Sequence, residues 1–239
     1  MQKISKRLET VASFLLPGET IIDIGADHAY LLLYLLERDV FKKGIAIELH
    51  DGPYESAKKN INQSEYVDQL EVRWGDGLHP IAESEIESIV IAGMGGQTIS
   101  RIINENADKA KMAQQLVLQP QNSPDRVRKT LFELGFLIDD ETLIREDNRL
   151  YLIISARHGD THQEANWQNL QIGPKLLEKG SEFLVEYMQS MLDRKVEVLG
   201  AMQCAQYPES GKISFYQEDI EKLRKLIGSY EMQRNHHSH

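Results

Sequence analysis

"TIIDIGADHAYLLLYLLER", residues Thr20–Arg38, decides the fold. Its first five residues, through Ile24, are mostly apolar or β-branched and read as a short buried strand. From His28 to about Arg38 the chain is apolar nearly all round, which reads as a buried helix. Asp23, Gly25, Asp27 and His28 mark the junction. A dinucleotide loop needs G-x-G-x-x-G so that bare backbone can approach a pyrophosphate at a helix N-terminus. Here only Gly25 keeps its place, and Asp27 would repel a phosphate. The turn suits a ligand that carries positive charge and no phosphate.

Working outward, Ile4, Leu8, Val11, Ala12 and Leu15 are spaced as one face of an amphipathic helix, which Pro17-Gly18 stops. Beyond the central stretch the pattern alternates. Strands are expected at Gly44–Leu49, Leu70–Trp74, Ser88–Gly93 and Gln115–Pro120, with helices from Pro53 to Asn62, from Gln97 to about Asn104 and after Ser123-Pro124. Ser123 is the expected N-cap of that last helix. Such alternation predicts a parallel sheet covered by helices on both faces. Phe136–Ile144 and Leu150–Ala156 are joined only by "REDN", too short for a parallel crossover, so the last strand is expected to run antiparallel.

From Arg157 the chain turns polar, and two long helical patterns follow, from about Lys175 to Gln203 and from about Gln217 to Met232, with a turn at "YPESGK". The expected fold is therefore α/β, a Rossmann-like seven-stranded sheet with an antiparallel last strand, plus a coiled-coil-like C-terminal helical hairpin. The expected domains are residues 1–158 and 159–239.

Composition narrows the function classes. The 239 residues carry a formal net charge of −10, which argues against coating nucleic acid by bulk electrostatics and confines any such site to a local patch. No apolar stretch reaches the roughly 18 to 20 residues of a membrane span, and Glu9 interrupts the apolar start, so a cytoplasmic protein without membrane attachment is expected. The single Cys204 fits a reducing compartment. His28, His50, His79 and His158 lack ligand-like spacing, so no metal is expected. A monomer is the simplest expectation.

Asp23 and Gly25, Glu48, Asp76 and the run Gly93-Met94-Gly95-Gly96 all fall at carboxyl ends of expected strands, the edge where open α/β sheets bind ligands. Glu48 suits a ribose diol, as the acid after the second strand does in nucleotide folds. A sulfonium, an ammonium, a ribose and no phosphate together describe S-adenosylmethionine.

On these residues and the hairpin, the stretch from about Thr10 to Arg157 resembles the class I S-adenosylmethionine-dependent methyltransferases. The resemblance implies that Asp23, Gly25, Asp27 and His28 form the loop around the methionine moiety. It also implies that Glu48 holds the ribose, Asp76 and Gly77 flank the adenine, and Gly93 completes the cofactor site. Asp27 and Ala29 stand where glycines are common in that class. The motifs "DIGADHAYL", "WGDGL", "IVIAGMGG", "LVLQPQN" and "NRLYLIISA", followed by "IGPKLLEKGSEFLVEY", are similar to those of bacterial tRNA (adenine-N1)-methyltransferases that modify adenine 22.

Adenine N1 has an in-plane lone pair at neutral pH, so attack on a sulfonium methyl needs alignment and exclusion of water rather than a general base. No catalytic residue is assigned, and no acid/base dyad is evident. The target must be exposed or flipped for its Watson–Crick edge to react. Tyr30 and Met94 are candidates to pack on the base, Gly95 and Gly96 to let backbone approach it, and Gln119, Pro120 and Gln121 to read its edge. Lys3, Lys6 and Arg7 are the expected tRNA-docking cations, with Arg126, Arg128 and Lys129 as a second patch. The alternatives are a methyltransferase for a small molecule or protein, a cofactor-binding RNA adaptor without turnover and, most remote, a nicotinamide dehydrogenase.

Overall fold

The computed structural model describes residues 3–159, 163–204 and 210–236; Tyr207, Pro208 and Glu209 of the expected turn lie outside them. The chain divides after Lys179 into two compact units.

In the first unit the elements run α1 (Lys6–Ser13), β1 (Gly18–Ile24), α2 (Tyr30–Glu37), β2 (Phe41–Glu48), α3 (Asp51–Asn62) and β3 (Leu70–Trp74). They continue through β4 (Ser88–Met94), α4 (Gly96–Glu105), α5 (Ala107–Met112), β5 (Gln115–Pro120) and α6 (Pro124–Glu133). β6 (Phe136–Glu146), β7 (Arg149–His158), α7 (Trp167–Gln171) and α8 (Pro174–Lys179) complete the unit. The seven strands form one sheet in the order β3-β2-β1-β4-β5-β7-β6, parallel throughout except that β7 runs antiparallel to both β5 and β6. The hairpin turn is only two residues, Asp147 and Asn148, at φ 47° and 59°. Positive φ at both central positions is the type I′ geometry that matches the twist of the flanking strands, and Asp and Asn tolerate it. Strand order reverses between β1 and β4, which opens a crevice at their carboxyl ends.

The sheet is buried on both faces because helices cover both. Ile21, Ile22 and Ile24 of β1, Ile45 and Ile47 of β2, Ile89, Val90 and Ile91 of β4 and Leu116, Val117 and Leu118 of β5 are all buried. These strands therefore read as continuous apolar runs rather than alternating ones. Helix α1 packs its Val11 and Ala12 inward, with Ile4 and Leu15 buried on either side of the helix, as the sequence spacing requires.

Three local expectations are corrected. The segment 106–113, unassigned from sequence, contains the short helix α5. Ser123 precedes α6 in a left-handed conformation at φ 46° without a side-chain cap bond, and Pro124 at the first helical position opens the helix. The long helix expected from Lys175 is two helices, because Gly180 at φ +65° stops α8 before α9 (Leu184–Gln203) begins.

The sequence-based boundary at 158 also differs from the division after Lys179. The reason is chemical: α7 and α8 are hydrogen-bonded to the sheet domain. Arg128 of α6 donates to the carbonyls of Leu170 and Gln171 at 3.1 Å each, and the amide of Lys175 donates to Glu141 of β6 at 3.0 Å.

The second unit holds α9 and α10 (Ser210–His236), which pack against each other. α10 starts earlier than its sequence pattern, taking Gly211 into its first turn. Leu184, Met188 and Leu192, each four residues apart, are buried on α9, and Ile220, Leu223 and Ile227 on α10. Lys195 and Asp219 join the two helices in an ion pair at 2.7 Å.

Candidate active site

The loop after β1 keeps the backbone of a glycine-rich turn with few glycines. Gly25, Asp27 and Ala29 take φ values of 76°, 52° and 57°. An L residue pays for the left-handed region, Asp less than most, so positions 27 and 29 hold strained conformations that a nearby scaffold must enforce. Three contacts do so. The Gly25 amide donates to the Ile47 carbonyl of β2 at 2.9 Å, the Asp27 amide donates to the Glu48 carboxylate, and Asn60 of α3 donates to the His28 carbonyl at 3.0 Å. A side chain at Gly25 would strike Met94, whose Cε lies 2.2 Å from the ideal Cβ position. Met94 therefore covers the loop from the β4 side.

Asp23 is buried, and burial followed by repulsion from Glu48 raises its carboxyl to about 7, against a lowering by Arg7. Glu48 is also buried, and desolvation is the largest cause of its raised carboxyl. Asp76 behaves oppositely: Arg101 grips both its oxygens at 3.0 Å and holds its carboxyl below the usual range. Each Asp76 oxygen keeps a lone pair for another donor. The Gly75 amide donates to the Glu48 carbonyl at 2.9 Å, which ties the ends of β2 and β3 together beside Gly77.

On the β4 and β5 side, Gly93 donates its amide to Gln119 Oε1 at 3.1 Å, and the same oxygen accepts from Arg7 Nη1 at 2.8 Å. Gln119 is fully enclosed, and its Nε2 donates to the Pro120 carbonyl at 3.2 Å. The expectation that Gln119 reads a base edge is thus corrected: its amide is engaged within the protein, and Pro120 is buried as well. Gln121 is exposed, and its backbone N–H donates to the Met94 carbonyl at 2.8 Å. Gly96 packs against the loop after β5 so tightly that a Cβ would lie 2.4 Å from the Ser123 carbonyl oxygen. Gly95 precedes it as the N-cap of α4, beside Asn122.

Arg7 is placed differently from its neighbours in sequence. Lys3 and Lys6 are exposed, as docking cations should be, but Arg7 leaves that face and reaches Gln119, with its guanidinium carbon 5.9 Å from the Tyr151 ring centroid. Arg128 is also corrected, since it is fully buried against Glu141, whereas Arg126 and Lys129 remain exposed. Tyr30 is half-exposed and stacks on His28 with ring centroids 5.0 Å apart, a small aromatic step at the mouth of the loop. Among the described residues no group of three His, Cys, Asp or Glu side chains could hold a metal ion.

The chain's residues 21–225 match the family model described as tRNA (adenine(22)-N(1))-methyltransferase. The chain belongs to this family. The tRNA (adenine(22)-N(1))-methyltransferase of Bacillus subtilis is 36% identical over 194 residues, covering 79% of this chain and 82% of the relative. Among solved structures, the B. subtilis m1A22 tRNA methyltransferase TrmK superposes with a TM-score of 0.85 at 30% identity, covering 95% of this chain and all of the other (100%). Streptococcus pneumoniae Sp1610, solved in complex with S-adenosyl-L-methionine, gives a TM-score of 0.83 at 32% identity over 94% of this chain and 100% of that one.

The side chains present fit the chemistry of the family's cofactor. Asp23, Glu48 and Asp76 end or follow three adjacent strands, β1, β2 and β3, and their carboxylates are acceptors of the kind that an ammonium, a diol and an amino group require. Arg101 is absent from the sequence reading, and Arg7 enters it only as a docking cation. Arg101 gave no signal, because its partner Asp76 is 25 positions away. Arg7 did give one: it stands four residues before Val11, on the inward stripe of α1.

Proposed function

We propose that the protein methylates N1 of adenine 22 in tRNA, using S-adenosylmethionine. The observation that carries this reading is the ring of acids at the ends of β1, β2 and β3 around a loop hostile to phosphate, in a chain of this family. The cofactor supplies a methyl group on a sulfonium that leaves as a neutral thioether. The protein's own part is to bind, align and exclude water. Asp23, Gly25, Asp27 and His28 hold the methionine end, Glu48 the ribose, Asp76 and Gly77 the adenine, and Gly93 closes the crevice. The attacking N1 brings its own lone pair and becomes the cation, so no side chain needs to remove a proton from it.

For the substrate, the stacked pair of Tyr30 and His28 offers a face for a flipped adenine, Met94 and Gly95 border the methyl path, and exposed Gln121 offers an amide to the base edge. Lys3 and Lys6 supply phosphate contacts. The protein acts as a monomer in the cytoplasm, where its substrate is.

The test is transfer of a labelled methyl group to unmodified tRNA, followed by nucleoside analysis and mapping. The expected product is 1-methyladenosine at position 22, absent when adenine 22 is replaced by guanine. Cofactor binding without transfer would favour an RNA adaptor, and transfer to other acceptors only would favour another substrate.

A further inference from the structure

We infer that the groove between α4 and α6 receives the sugar-phosphate backbone of the tRNA strand that leads away from the target adenine. The inference rests on the tRNA reading above and adds to it a docking site apart from Lys3 and Lys6.

The groove holds about 810 Å³, and every side chain lining it is polar or charged. Small-molecule pockets of this size are mostly apolar, so the lining argues for a hydrated, hydrogen-bonding occupant. Gln97 and Asn104 of α4 bring side-chain amides, and Arg126 and Lys129 of α6 bring cations. This mixture, without an aromatic face on which a base could stack, matches ribose hydroxyls and phosphate oxygens.

One lining group is left without a partner inside the protein. Ser100 is 5% exposed, and its Oγ makes no hydrogen bond among the described residues. A helical serine has the carbonyl one turn earlier as a ready acceptor, and a buried hydroxyl that stays unpaired costs stability. A phosphate oxygen or ribose hydroxyl in the groove would satisfy it.

The groove also starts beside the crevice. α4 begins at Gly96, directly after the Met94 and Gly95 that border the methyl path, and α6 begins at Pro124, just beyond the loop that carries Gln121. The Gly96 amide donates to the Asn122 carbonyl at 3.1 Å and so joins the two starts. A strand whose adenine is flipped into the crevice meets this groove as its next surface.

The charges agree. Arg126 is exposed and makes no ion pair among the described residues, and Lys129 pairs loosely with Glu133 at 3.7 Å, the two side chains 64% and 61% exposed. Arg101, the third cation of the lining, is held by Asp76 and Glu105. In a chain of net charge −10, two available cations in one groove are the local patch that an RNA backbone requires. Asp125, in the first turn of α6, opposes an anion and supplies a test of opposite sign.

The experiment measures binding of unmodified tRNA to the full chain by fluorescence anisotropy at several salt concentrations, with S-adenosylmethionine affinity measured by calorimetry beside it. Arg126→Gln and Lys129→Gln are each expected to weaken tRNA binding by about 3- to 10-fold and to lower the salt slope by about one. Ser100→Ala should weaken it too while the thermal midpoint holds or rises, because an unpaired hydroxyl is removed. Asp125→Asn should strengthen it. Cofactor affinity stays at the wild-type value in all four. Lys43→Gln, an exposed position near the amino end of β2, controls for charge alone and should leave tRNA affinity nearly unchanged. Equal weakening by Lys43→Gln would make the attraction non-specific and overturn the inference. Unchanged tRNA affinity in Arg126→Gln and Ser100→Ala, in a protein whose wild type methylates tRNA, would overturn it as well and leave the groove to an acidic protein segment. A wild-type protein that binds no tRNA would overturn the substrate reading itself, and the groove's role with it.

Discussion

Arg128 Nε and Glu141 Oε1 meet at 2.7 Å with both side chains wholly shielded from solvent. The pair joins α6 to β6 and, through the Leu170 and Gln171 carbonyls and the Lys175 amide, fixes α7 and α8 as well. A buried pair gains little over apolar replacements of similar size, but removing one partner strands the other charge. Arg128→Met is expected to lower stability by about 3 to 5 kcal/mol. The double variant Arg128→Met/Glu141→Leu should recover part of that loss in denaturant titrations.

The buried Asp23 is expected to make cofactor binding pH-dependent. Its carboxyl sits at about 7 in the folded chain against 3.8 ordinarily, so near neutrality it is partly protonated. A bound ammonium and sulfonium favour the ionised form, so affinity should rise between about pH 6 and 7.5, below the range where a free α-amino group titrates. Calorimetry in buffers of different ionisation heat should show protons released on binding, and Asp23→Asn should flatten much of the profile. For stability the sign is opposite. The folded chain holds this proton more tightly than the unfolded one, so this group's contribution falls as pH rises from 3.8 towards 7.

Gly96 leaves no room for a methyl group. Its Cβ would lie 2.4 Å from the Ser123 carbonyl and 2.5 Å from that of Asn122, both backbone atoms that cannot swing aside. Gly96→Ala is expected to cost about 1 to 3 kcal/mol through overpacking, more than the gain in helix propensity. A lower thermal midpoint with weaker methyl transfer would be the readout, since the displaced loop carries Gln121.

Glu48 accepts from the Asp27 amide of the loop and, in the proposed reading, also holds the ribose, so graded substitutions should separate the two. Glu48→Gln keeps an acceptor for the Asp27 amide, whereas Glu48→Ala removes it. The alanine variant should weaken cofactor binding by about 10-fold or more relative to the glutamine variant. Equal affinities would show that the loop stands without this bond.

Much of the architecture is legible in the sequence because period and punctuation agree. The Ile- and Val-rich runs at β1, β4 and β5, the helical stripes between them and the short link after β6 each admit few alternatives. Strand-end residues follow from that layout, which is why Asp23, Glu48 and Asp76 can be singled out beforehand. Side-chain direction is less legible. Lys6 and Arg7 are neighbours in sequence but about 100° apart around a helix, so one is exposed and the other turns inward. Arg128 looks like a surface cation until its partner 13 residues away is seen. The backbone of Asp27 and Ala29 is hidden for a similar reason, since contacts from Glu48 and Asn60 hold the neighbouring loop.

The place of β7 has a consequence for how the chain is made. It is the last strand to leave the ribosome, yet it lies between β5 and β6. Until residue 158 has emerged, β5 offers a bare edge of unpaired amides and carbonyls, and β6 has no neighbour to join. The sheet is completed late, when the β6–β7 hairpin adds to the β5 edge. A nascent chain stalled before that strand would carry the whole crevice while remaining open to pairing with another strand, so the tight two-residue turn that delivers β7 also guards the growing chain against aggregation.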